Sequence, residues 1–390
     1  MTTDPRVLGL LEHIQSIEPL IRNEADVSND LRQLSPALVE ALHDIGLFRM
    51  NLPDRFGGLG LTPIEIMPIA EALARIDASV AWATVVGAGS LSFATLMNDE
   101  AAKREIMCTP RGAGAGSGSP TSYRVTRVDD GYRVSGRSRF ATACTFATWI
   151  AVGGALFEGD QVVMAPAGTP RLVFGMVPAS ELEIVDSWHA DGLRGTGSHD
   201  VVAHNVFIPE GRTFNLFDTS PRWDDPYHCV PLLNRYACEL VAVGIGAAQH
   251  AIDAFIELAL GKVAGGDFAL VRDRGVARIE LAKAMGLVAG ARAYVTAAAQ
   301  RVHDLAYGGR ALPTNEMAAL RLAMVTAAAQ AAEATDLIRA VSGTSAMDPG
   351  CAIGRCWRDA HAVASHTGFG AHNLEKVGMV AFGMEPPGGI

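Results

Sequence analysis

Asp186-Ser187-Trp188-His189-Ala190-Asp191-Gly192-Leu193-Arg194-Gly195-Thr196-Gly197-Ser198 is the stretch on which the reading of this chain turns. Glycines at 192, 195 and 197 let a backbone come close to a flat ligand, and Thr196 and Ser198 place hydroxyl donors beside it. The competing reading is a Gly-rich turn held by its own hydroxyls. The stretch leads into a β-rich run at 201–208 that closes on Pro209-Glu210.

Outward from it, short β-rich runs at 123–128, 132–135, 149–152, 162–164 and 172–177 are separated by turn residues, with Asp129-Asp130-Gly131 as a hairpin connection. They predict a middle β domain, a small barrel, over residues 112–225. Upstream, apolar residues recur at three- and four-residue steps, as at Leu8, Leu11, Ile14 and Ile17, which predicts a helical domain over 1–111. Its conspicuous break is Leu52-Pro53-Asp54-Arg55-Phe56-Gly57-Gly58-Leu59-Gly60, a loop between helices. Downstream, 226–390 returns to helical periodicity, and Ala-rich stretches at 277–301 and 317–341 suit the long helices of a C-terminal four-helix bundle. The expected fold class is α+β.

Charge narrows the function. A formal net charge of −10 without a dense run of Lys and Arg argues against nucleic acid and anionic lipid, and for a small-molecule substrate. No secretory leader and no apolar run of membrane-spanning length are read in the chain, so a cytoplasmic, membrane-free protein is expected. Six cysteines at scattered spacings, none in C-x-x-C, signal neither a zinc site nor a disulfide framework.

These pieces together resemble the acyl-CoA dehydrogenase superfamily. The 52–60 loop is similar to its L-P-x-x-x-G-G-x-G entry. Tyr132-Arg133-Val134-Ser135-Gly136-Arg137-Ser138-Arg139-Phe140-Ala141-Thr142 is similar to its flavin-facing strand, and Trp357-Arg358-Asp359-Ala360 to its late helix. The 186–198 block is the most specific match, in sequence, length and context. The resemblance implies that Phe140 lies against a flavin and Thr142 hydrogen-bonds near its N5/O4 edge. Thr196, Gly197 and Ser198 would hold the cofactor, and Trp188 would cover the ring system or serve as β-domain core. The Gly-rich run 112–119, with Ser117 as a donor, resembles the flavin-contacting loop before the hairpin. It is not a dinucleotide fingerprint, because strands follow it where a helix is needed. The resemblance also implies a homotetramer whose sites are completed by neighbouring subunits. Arg272 and Arg274 are candidates for the phosphates.

The chemistry turns on one position. Where the dehydrogenases carry a catalytic glutamate, counting from Arg358, this chain has Thr367, which cannot abstract a proton. Next to it is His366, and Arg358-Asp359 followed by His366 resembles the oxygenase components of two-component flavin monooxygenases (group D type). That branch takes reduced FMN or FAD from a separate NAD(P)H-flavin reductase, reacts it with O2 to a C4a-hydroperoxide, and hydroxylates a small organic substrate. A histidine changes charge near neutral pH, so His366 suits proton management there, with Thr142 as its companion. Its other reading is a helix-terminal histidine satisfied by the backbone. His361 is read as structural or interfacial, and His189 and His199 as solvated or capped side chains. Several aromatic hydroxylases of the branch carry a histidine soon after a V-x-G step, where this chain offers only Ser90. Acyl-CoA dehydrogenation and a non-catalytic flavin-binding relative are the alternatives.

Overall fold

Short polar side chains start the N-terminal helices where the apolar periodicity begins. The computed structural model describes residues 4–390 except 118, 120, 166–167, 217–229, 264, 266–267 and 388. Asp4 caps α1 (Pro5–Leu31), Ser35 caps α2 (Pro36–Asp44), a Thr62–Glu65 capping box opens α3 (Pro63–Ala74), Asp77 caps α4 (Ala78–Leu91) and Asp99 caps α5 (Glu100–Met107).

The described strands lie between Gly114 and Phe214. They are β1 (Gly114–Gly116), β2 (Tyr123–Val128), β3 (Gly131–Ser138), β4 (Trp149–Glu158), β5 (Gln161–Val162), β6 (Leu172–Pro178), β7 (Glu183–Val185), β8 (Asp200–Pro209) and β9 (Thr213–Phe214). The sheet order is β7-β8-β3-β2-β4-β6-β9, with β1 and β5 both paired to β4. Asp130, at φ 61°, makes the β2–β3 hairpin turn, as its sequence suggested. The sheet curls until Gly175 of β6 faces Ile208 of β8. Strands β1, β7 and β9 were not foreseen. Part of the expected Gly112–Ser119 loop is strand β1, running parallel to β4. A Cβ on Gly114 would stand 2.3 Å from the backbone nitrogen of Leu91, so this glycine lets β1 lie on the last turn of α4. Gly118, in the same run, lies outside the described residues, as do both sides of the expected 225/226 boundary.

Helices α6 (Leu232–Gly261), α7 (Gly275–Tyr307), α8 (Thr314–Ser342) and α9 (Ala352–Ala364) pack on one another, with α10 (Ala371–Ala381) laid on α8. Fully buried alanines of α8, including Ala327, Ala331 and Ala334, let the axes approach closely. Helix α6 also packs on α3 and α4, so a single apolar cluster runs from Phe48 through Val241 and Phe255 to Ile338 and Val363. Two helical segments, 78–96 and 234–261, are in fact long and apolar enough to cross a membrane, contrary to the expectation. Their apolar windows are 89% and 72% buried inside the fold, which makes them core helices.

Phe255 is 1% exposed in the cluster that joins both helical regions. Phe255→Ala is expected to lower stability by about 3–5 kcal/mol, read as a fall in the urea midpoint.

Candidate active site

The 186–198 stretch is held by three helices at once. Asp359 of α9 accepts the Leu193 amide at 2.6 Å. Ser79, in the first turn of α4, accepts the Gly195 amide at 3.2 Å, and at the end of α1 the Asn29 and Arg32 carbonyls accept Arg194 Nε and the Gly197 amide at 3.0 and 3.1 Å. A Cβ on Gly192 would stand 2.2 Å from the Arg358 carbonyl, so only glycine lets the loop touch α9 there.

Within this frame four side chains form a directed chain of hydrogen bonds. Trp82 Nε1 donates to Thr142 Oγ1 at 3.3 Å, Thr142 and Ser198 hydroxyls are 2.6 Å apart, Ser198 and Thr196 hydroxyls 2.7 Å, and Thr196 donates to the Leu193 carbonyl at 2.8 Å. Each hydroxyl has one proton, so the last bond fixes all the others. Protons run from Trp82 through Thr142, Ser198 and Thr196 to Leu193. The sequence reading had Thr196 and Ser198 offering donors to a ligand. Their protons are already engaged, and what these buried hydroxyls have left is lone pairs. The turn is stabilised by its own hydroxyls, as the competing reading had it, and it is also joined to Thr142 on the neighbouring segment.

Phe140, two residues before Thr142, has φ 62° and is 60% exposed, an unusual placement for a large aromatic ring. Its ring meets Trp188 edge-on at 6.1 Å, and Arg139 lies 5.0 Å from its centroid. Trp188 anchors its own indole through Nε1 to the Leu193 and Arg194 carbonyls. An open aromatic face next to a row of acceptors fits a flat heteroaromatic with polar edges, so the residues present suit a flavin.

His366 lies past the end of α9, where it caps a short turn. Its Nδ1 accepts the Gly368 amide at 3.1 Å, which leaves Nε2 to carry the proton of the neutral ring. Among the described residues Nε2 has no hydrogen-bond partner. Burial pushes the His366 pKa below the ordinary histidine value, favouring that neutral form. The ring lies edge-on to Trp82 at 5.5 Å, which brings it to the head of the hydroxyl chain.

The other candidates fall elsewhere. Ser117 is half-buried and meets only the Ser119 amide, with no contact to the hydroxyl chain among the described residues. Arg272 and Arg274 stand at the start of α7, where the Arg272 carbonyl accepts Arg278 and Arg274 reaches the Gly265 carbonyl. His361 bonds Asp336 at 3.0 Å on the exposed side of α8 and α9. His199 is buried, and its Nδ1 accepts the Ser187 and Trp188 amides, a capping role. His189 is exposed beside Arg32. Ser90 is paired with Tyr236 of α6 at 2.9 Å, and Tyr236 donates in turn to the Val86 carbonyl. Sequence reasoning missed Trp82, Tyr236 and the capping role of Asp359. Trp82 sits in a helix buried on every face, where no periodicity singles out a residue.

The family model for the acyl-CoA dehydrogenase N-terminal domain matches residues 15–106, and that for the acyl-CoA dehydrogenase C-terminal domain matches residues 239–371. The chain belongs to the acyl-CoA dehydrogenase superfamily. Within it, the chain is 28% identical to an indole-3-acetate monooxygenase of Pseudomonas putida, over 91% of this chain and 89% of that one. It is also 28% identical to the flavin-dependent monooxygenase oxygenase subunit HsaA of Mycobacterium tuberculosis, over 97% and 96% of the two chains. The crystal structure of HsaA from M. tuberculosis superposes with a TM-score of 0.87 at 26% identity, covering 97% of this chain and 98% of that one.

Thr142 is 5% exposed and both accepts and donates in the chain. Thr142→Val keeps its volume but strands the Trp82 N–H and a Ser198 lone pair, and is expected to cost about 1–3 kcal/mol in thermal unfolding. By proton NMR, the His366 ring is expected to titrate below the ordinary value, and its contribution to stability is present at neutral pH and lost as pH falls through that midpoint.

Proposed function

We propose that this chain is the oxygenase component of a two-component flavin-dependent monooxygenase acting on a small aromatic substrate. The observation that carries the reading is the buried, one-way hydroxyl chain from Trp82 to Leu193 with neutral His366 at its head. Reduced FMN or FAD, when bound, supplies the two electrons with which O2 yields one oxygen atom to the substrate and one to water. Reduced flavin carries an N–H at N5, and Thr142 Oγ1, with its own proton engaged, is an acceptor for it. Phe140 and Trp188 offer the aromatic wall. Thr196, Gly197 and Ser198 would hold the polar edge of the flavin, with Ser117 as a further contact. His366 donates from Nε2 and stays neutral, so it holds a proton without placing a charge in a dry site.

Ser90 and Tyr236 together supply the polar group that stands in for the missing histidine. Burial raises the Tyr236 pKa and keeps the phenol neutral. Phe93, 5.9 Å from Tyr236, and Phe369, 5.9 Å from His366, add apolar walls suited to an aromatic ring. The names of the relatives, flavin-dependent and indole-3-acetate monooxygenases, support the substrate class and the cofactor. The chain holds no recognised nicotinamide fingerprint, so the reading includes a separate NAD(P)H-flavin reductase. A cytoplasmic homotetramer, with the division 1–111, 112–225 and 226–390, and Arg272 or Arg274 near the phosphates, belongs to the same proposal.

Rapid mixing tests it. Protein loaded with reduced FMN or FAD and mixed with oxygenated buffer is expected to regain the oxidised-flavin absorbance slowly. His366→Ala is expected to regain it at least tenfold faster and to release more hydrogen peroxide. Immediate reoxidation by both proteins overturns the reading.

A further inference from the structure

Leu193 is the point through which the site is set. Its carbonyl accepts three donors: Thr196 Oγ1 at 2.8 Å, the Thr196 amide at 3.2 Å and Trp188 Nε1 at 3.2 Å. The first ends the hydroxyl chain and the last fixes the indole beside Phe140. The residue has φ 51°, a left-handed conformation that a leucine adopts only when its surroundings impose it. The Leu193 amide, in turn, is held by the Asp359 carboxyl at 2.6 Å. Asp359 is 4% exposed, and among the described residues its side chain makes no hydrogen bond to the hydroxyl chain or to His366, so its link to the site runs through Leu193.

We propose that Asp359 is a positioning residue: by holding the Leu193 amide it orients Trp188 and the Thr196–Ser198–Thr142 hydroxyls, and its gain or loss of a proton makes that orientation respond to pH. The charged surroundings come from every side. Asp77, the cap of α4, is buried beside it and shares its field. Arg355 and Arg358 stand on its own helix, with Cys356 between them. Arg355 is also paired with Asp26 of α1 and lies 3.7 Å from Asp77, while Arg358 lies 3.8 Å from Asp191 of the loop. Two buried carboxyls thus share chiefly one guanidinium, which is itself only partly exposed. Burial, and then the charge of Asp77, lift the Asp359 pKa to about 7, against the opposing pull of the Leu193 amide and the arginines.

The sign follows. A folded pKa above the unfolded one means that the folded protein holds a proton the unfolded chain has released. The stabilisation from this group is complete below the unfolded value and is lost as pH rises to about 7. Above that pH, Asp359 is ionised and its bond to the Leu193 amide becomes charge-assisted, so the loop is gripped more firmly on the alkaline side.

The flavin arm of the test rests on the function proposed above, whereas the loop arm does not. In flavin-free protein, Leu193 amide exchange, corrected for intrinsic rate, is expected to be slow and to slow further between pH 6 and 8. Asp359→Asn keeps an oxygen for the amide but cannot titrate, so its Leu193 protection is expected to be flat across that range. Asp359→Ala is expected to exchange at least tenfold faster at both pH values. In anaerobic equilibrium dialysis with reduced FMN and reduced FAD, affinity is expected to rise severalfold from pH 6 to 8 in the natural protein, not to vary in Asp359→Asn, and to fall about tenfold in Asp359→Ala. Leu193 protection unchanged in Asp359→Ala overturns the positioning role. A natural-type pH dependence in Asp359→Asn overturns the titration, and that comparison still decides if the alanine variant fails to fold. No flavin binding by the natural protein at either pH sinks the functional reading and leaves the exchange measurement to judge the loop.

Discussion

Everything in the site depends on Gly192 lying against the Arg358 carbonyl of α9. That contact brings a β-domain loop onto a helix of the C-terminal bundle, and no side chain larger than hydrogen fits between them. Once the loop is there, the Leu193 amide falls to Asp359, Gly195 to Ser79 and Gly197 to the end of α1. Elements from both helical regions and the sheet are thereby joined at one turn, and the hydroxyls on that turn inherit their rigidity.

Rigidity is what a row of hydroxyls needs to behave as acceptors. A free hydroxyl rotates and offers either a proton or a lone pair, whereas here the Leu193 carbonyl fixes the direction of the last proton and so of each one before it. Successive hydrogen bonds in a buried site polarise one another, which strengthens the whole row beyond its separate members. Trp82 closes the head of the row with a donor that has no acceptor of its own to offer. His366 adds a half-buried neutral ring with Nδ1 tied to the backbone and Nε2–H left over. The site therefore combines acceptors, one uncharged donor and apolar walls.

The supporting layer is less comfortable. Asp77 and Asp359 are buried within each other's field with Arg355 between them, and burial raises both pKa values. A buried charge group of this kind stabilises weakly at best, because desolvation offsets most of the attraction. Its consequence is geometric: Asp77 begins the helix that carries Ser79 and Trp82, while Asp359 holds Leu193. Both walls of the hydroxyl chain are thus referred to the same pair of carboxyls.

Periodicity and turn chemistry were enough to read the order of helices, sheet and helices, because a 3.6-residue or two-residue repeat is a local property of the chain. The Asp129-Asp130-Gly131 hairpin and the long Ala-rich helices were legible for the same reason. The 186–198 block with Phe140, Thr142 and His366 could be picked out as candidates, since their residue types and spacing are written in the chain itself. What tertiary structure alone decided was direction and partnership. The proton order of the hydroxyls is set by a carbonyl three residues before Thr196, the tautomer of His366 by the Gly368 amide, and the polar partner of Ser90 by a tyrosine on a helix 146 residues away in sequence. Trp82 carried no local mark, and Asp359 was marked only as part of the Arg358-Asp359 motif and not as the holder of Leu193, because their parts come from what packs against them. Hydrogen bonds are short and angular, so their choice of partner depends on the folded positions of distant backbone atoms.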